Sequence, residues 1–180
     1  MTRFAKLKLL HAALAAALLI TFCGCGLALE TRTGWRTASD TELRSAIPAR
    51  APVVTERIET EMRSASGITN GHGKMIAGVV LITAGYSAEG KYSHFFLTQV
   101  PLKLASSVQL SAGEYVIGYE HSGDGLLVHF YEAATGKLVG SVQATQMPGV
   151  TRVEQFRIWP PAERSAIQIG RFGFNYQIGG

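Results

Sequence analysis

The chain has little cysteine. It holds two in 180 residues, and both, Cys23 and Cys25, sit near its start. Everything after Cys25 is cysteine-free, which excludes a disulfide framework, a thiolate metal site and a cysteine nucleophile from the body. Two cysteines one residue apart are also badly placed to bond to each other. Basic runs are missing as well. The net charge of +4 owes three cations to Arg3, Lys6 and Lys8, and no acid precedes Glu30. Without those three, fourteen bases face thirteen acids, and they are scattered. No electrostatic footprint for a phosphate backbone is left, so no nucleic-acid partner is expected.

The motifs of common chemistries are absent too. The body has four histidines, His72, His94, His121 and His129, with no His-x-x-x-His or Glu-x-x-His spacing. There is no Gly-x-Ser-x-Gly elbow. Ser93 and His94 are neighbours on a predicted strand, where alternation points them to opposite faces and argues against a dyad. Glu120 and Glu132 read as solvated charges rather than paired acids. The Gly71-His72-Gly73-Lys74 stretch lacks the frame and the Ser or Thr of a phosphate-binding loop. The expectation is a non-enzyme with no cofactor and no bound metal.

What is present begins with a leader. A basic start is followed by an apolar run over residues 9–22, broken only by His11 and Thr21. These are the n-region and h-region of a secretory signal. The run ends in Phe22-Cys23-Gly24-Cys25-Gly26. This stretch resembles the lipobox of bacterial lipoproteins, in which a small residue precedes the cysteine that is lipidated. Gly24-Cys25 match its last two positions, whereas Phe22 stands where that family prefers Leu and Cys23 where it prefers a small residue. The resemblance implies lipidation at Cys25, a membrane anchor through that lipid, and export to the cell envelope. Gly26, in place of Asp, implies the outer membrane or the periplasm at its surface. A cleaved signal with a secreted soluble product, and a retained anchor, are the alternatives.

The body reads as all-β. Residues 1–25 form the signal and lipobox, 26–52 a tether, and 53–180 the folded domain. Within the tether, Ser39 or Asp40 caps a short helix that Pro48 stops, and Trp35 packs on the domain or sits at the membrane interface. Residues 53–66 carry a helical stripe (Val54, Ile58, Met62, Ala65) and a Glu59/Arg63 pair, which favours helix or irregular structure. Asn70-Gly71 and Gly73 mark a turn. Residues 75–84 are a continuous β-branched apolar run, a strand buried on both faces. Residues 92–100 are the next strand, which Pro101 limits to a sheet edge or ends. One or two short strands follow over 102–110.

Residues 108–144 form a three-stranded meander, with turn signals at Ser122-Gly123-Asp124-Gly125 and Ala134-Thr135-Gly136-Lys137. Residues 152–159 and a long closing strand over 166–178, bent at Gly170 and Gly173, complete seven to nine antiparallel strands. That pattern is a β-sandwich, with a small β-barrel as the alternative.

The meander also holds the candidate site. A three-residue first turn would place His121 and His129 diagonally on one face, roughly 7–8 Å apart. Zinc would need a third protein ligand, which is not identifiable. The aromatic residues Tyr119, Tyr131, Phe130 and Phe172 read first as core and second as the lining of a small-ligand site. In that second reading Tyr119, His121, His129 and Tyr131 are the candidate binding residues. The function expected is a lipid-anchored envelope protein that acts as a non-catalytic binding or interaction module, with another envelope protein as its second partner. The alternative is a small-ligand-binding barrel carrier.

Overall fold

The computed structural model describes residues 34–179. The leader, with Cys23 and Cys25, lies outside the described residues, and so do the signal and lipidation assignments. The described residues are nearly all-β, with antiparallel pairing. One sheet joins thirteen strands and curls until it nearly closes into a barrel. The count exceeds the expected seven to nine because several strands are only two to four residues long.

Residues 34–52 are structured. Arg36–Thr37 forms β1 against β3, and Asp40–Ala46 is the one helix among the described residues, α1. Ser39 caps it in a capping box with Glu42, and its buried Leu43 faces the sheet. Arg50–Val53 is β2. Glu56–Thr69 is β3, a fourteen-residue strand and not the helix or irregular structure that the apolar stripe favours. Val54, Ile58 and Met62 satisfy both periods, and here sheet pairing decides. β2 bonds one end of β3, and Met75–Leu81 (β4) bonds the rest. Arg63 accordingly pairs with Glu61, two residues away on the same strand face, and not with Glu59.

β4 and β5 (His94–Thr98) lie inside the sheet and are buried on both faces. Leu102–Leu104 (β6) and Val108–Leu110 (β7) form a small hairpin whose turn holds Ala105 and Ser106 at positive φ. Gly113–Ser122 (β8), Gly125–Glu132 (β9) and Leu138–Gln146 (β10) are the meander. The long closing strand is instead two strands. Ala166–Gly170 (β12) and Phe172–Ile178 (β13) fold back on each other, with Ile169 opposite Phe172. Gly170, at φ +63°, makes the tight turn. Its effect is to reverse the chain, where a bend was expected.

The strand order is β1-β3-β4-β5-β8-β9-β10-β13-β12-β11. The terminal strand β11 (Glu154–Trp159) returns beside β3 and β4 without a ladder to either. What joins it to them is side chains. Ser66 Oγ accepts from Ile158 N at 2.9 Å, and Phe156 lies against Gly78, where any Cβ would overlap its ring.

Two cores occupy the two faces. The inner one gathers Phe96, Ile117, Phe130, Phe156, Ile167 and Phe174 inside the barrel. Phe130 stands edge-on to both Phe96 and Phe174. The outer one packs α1, β2 and the 83–92 loop over Ile58, Val79, Phe95 and Val116. This double burial explains why β4 and β5 read as continuous apolar runs.

Candidate functional site

The barrel centre is filled, but one end is open. There the β4–β5 loop, the β8–β9 turn and the β12–β13 turn surround a cup with a cavity volume of about 700 Å³. Antiparallel strands bring alternate strand ends to the same place. The cup therefore draws Val80 from the end of β4, His94 from the start of β5, Tyr119 from the end of β8 and Leu126 from the start of β9. Ile169 and Phe172 come from either side of the last turn, and Val153 stands just before β11. At the rim Tyr119 is 43% exposed and Val153 62%.

His94 is the most confined polar group of this cup, with 3% of its surface exposed. Its Nδ1 lies 2.8 Å from Ser93 Oγ, and the Ser93 hydroxyl also reaches the Ile117 carbonyl at 3.1 Å. The expectation that Ser93 and His94 point apart is thus corrected. The Ser93 side chain turns back along the strand and meets the imidazole edge. Nε2 is buried without a completed hydrogen bond. The ring packs between Phe156, 5.1 Å away by centroids, and Tyr119, 6.1 Å away. Burial pushes the imidazole pKa down to about 4, and the nearby Gln155 backbone opposes only part of that shift.

The four candidates from the meander do not meet. The first turn holds two residues, not three, because Ser122 pairs with Gly125. His121 therefore opposes Leu126, and His129 opposes Gly118. Directly opposed residues share a face, so Tyr119 and His121 look into the cup while His129 and Tyr131 look outward. The two-histidine metal arrangement falls with that register. His129 instead places Nδ1 2.7 Å from Ser141 Oγ and Nε2 3.6 Å from Glu120. Tyr131 meets Tyr92 edge-on at 5.2 Å. Among the described residues no three His, Cys, Asp or Glu side chains gather as a metal site.

Sequence reasoning thus found Tyr119 and His121, with Phe172 as a lining aromatic in its second reading. It missed Val80, His94, Leu126 and Val153. These four lie on four separate segments, and only their position at alternate strand ends, on the inward face, links them. A second groove, of about 480 Å³, runs along the β3–β11 seam past Arg63, Arg152 and Arg157. No family model, curated protein or solved structure matches this chain.

Proposed function

We propose that this protein is a non-catalytic binding module of the cell envelope, exported and held at the membrane by lipid on Cys25, that takes a small molecule in the open end of its barrel. The observation that carries the binding reading is the cup itself. Its volume falls within the range of about 300–1,000 Å³ usual for small-ligand sites. Its walls combine apolar side chains with polar groups, and they are fixed by a packed core beneath. Exposed Tyr119 and Val153 at its mouth are the surface such a ligand would cover. A carrier with a central cavity fits less well, since the barrel centre is occupied by Phe96, Phe130 and Phe174.

The test uses the full chain in isolated membranes and the uncharged fluorescent probe N-phenyl-1-naphthylamine. Probe bound to wild-type protein above that of membranes carrying Tyr119→Ala and Val153→Asp supports the cup; equal signals reject it. Mass spectrometry of the mature N-terminus tests the anchor. A lipidated Cys25 is the expected result, and a cleaved chain with an unmodified Cys25 points to the secreted soluble alternative.

The reading as a protein-interaction module draws on a different observation. β11 ends the sheet, and its free side carries no ladder. That side faces β3 across the seam groove, where Ser66 Oγ takes the Ile158 amide, so a partner segment would have to enter that groove. Co-purification of one envelope protein that is lost on Arg63→Asp combined with Arg157→Asp, both in the seam groove, with the fold retained, would favour it.

A further inference from the structure

The cup has no free fixed charge, and this limits what it can hold. Its acid, Glu154, has a carboxylate oxygen 3.3 Å from Arg152 Nε and 3.6 Å from Arg157 Nη1. Lys91 borders the cup but sends its ammonium away, over the rings of Tyr92 at 4.9 Å and Tyr131 at 5.6 Å. Tyr131 belongs to the outward face, so that cation is spent on the other side of the sheet. His94, at the inner end, is packed between two aromatic rings.

A ligand ion seated here would give up its hydration and meet no opposite charge. Hydrogen-bonding groups, by contrast, are free at the mouth. Among the described residues neither the Tyr119 hydroxyl nor the His121 ring has a side-chain hydrogen bond, and both line the cup. Below them Val80, Leu126, Ile169 and Phe172 form an apolar wall.

We propose that the ligand is an uncharged, mainly apolar molecule bearing a hydroxyl, with its body against Val80, Leu126, Ile169 and Phe172 and its hydroxyl at Tyr119 and His121. This rests on the binding reading above and adds the ligand's chemical class. A hydroxyl suits the site because it both donates and accepts, as do a phenol and an imidazole. An apolar body gains from leaving water roughly in proportion to the area covered.

The test labels the full chain in isolated membranes with photoreactive analogues of decanol, decanoate and decylamine, and maps the labelled peptides. Labelling by each analogue is divided by its labelling of a Tyr119→Ala, Val153→Asp variant, which removes differences in partitioning into lipid. The expected result is a decanol ratio above both ion ratios, on peptides holding Leu126 or Phe172. Tyr119→Phe combined with His121→Ala should then lower the decanol ratio by about five-fold, the scale of a lost net hydrogen bond. A decanoate or decylamine ratio equal to or above that of decanol overturns the ligand class and leaves the cup standing. Ratios of one for all three analogues overturn the cup as a binding site, and the class with it.

Discussion

His94 shows how one buried side chain couples the cup to pH. Its imidazole is neutral in the fold because burial lowers its pKa from the ordinary 6.5 to about 4. The unfolded chain therefore binds this proton first as pH falls. Stability from this group is fully present above about pH 6.5 and is lost as pH drops through the window down to about 4. The total linked to that window is about 3 kcal/mol. Lowered carboxylates act further down. Glu42 is held at about 2 by Arg36 and Ser39, and Glu56 is lowered by Ser87. Their contributions are present above the ordinary glutamate pKa of 4.5 and fade as pH falls from there toward the lowered values. Urea unfolding of the wild type should thus lose about 2 kcal/mol between pH 6.5 and 5. In His94→Gln that slope should flatten, and an unchanged slope would show that His94 is not its source.

At the scale of elements, β11 and β12 depend on one buried amide. Gln168 is fully buried on a strand whose neighbours Ile167 and Ile169 enter the inner core. Its Oε1 accepts from Trp159 Nε1 at 3.0 Å, and its Nε2 donates to the carbonyls of Arg152 and Gly170 at 3.2 and 2.8 Å. Those bonds fill the gap where the β11–β12 register slips between Glu154 and Arg157. Gln168→Leu keeps the volume but leaves an indole N–H and two carbonyls short of partners. It should cost about 3 kcal/mol by urea denaturation. A loss under about 1 kcal/mol would mean that water replaces the amide.

For the whole molecule the decisive contact is the seam. A barrel with full ladders has no edge, and here β3 and β11 face each other without one. Ser66 Oγ accepts from Ile158 N in place of a carbonyl, while Ser64 Oγ does the same for Val80 N where the β3–β4 register breaks. Ser66→Ala leaves the Ile158 amide without its acceptor. It should cost about 1 kcal/mol and speed hydrogen exchange at Ile158 about five-fold. Exchange unchanged at Ile158 would show that the seam is closed by packing of Phe156 on Gly78 alone.

Much of this architecture was legible in the chain. Strand periodicity in β8, β9 and β11, the turn glycines and the capped helix at Asp40–Ala46 are local signals, and local physics is enough to express them. Residues 53–66 were not legible, because Ile58 and Met62 suit either period and only pairing with β2 and β4 selects the strand. The closing segment was half legible. Gly170 marked a change of direction, but whether the chain bends or reverses depends on having a partner strand in reach. The site was least legible of all. A turn of two residues rather than three sent His129 and Tyr131 to the far face, and a one-residue difference inverts every side chain beyond it.

Composition and pattern by themselves thus determined an all-β antiparallel body without disulfides, with alternating faces and turns near their observed places. Those properties depend on neighbours a few residues apart. Tertiary structure decided that the sheet curls into a near-barrel, that its centre is filled, and that His94, Tyr119, Leu126 and Phe172 share one cup. These depend on register and on which strand ends meet, and both are set by contacts between residues far apart in the chain.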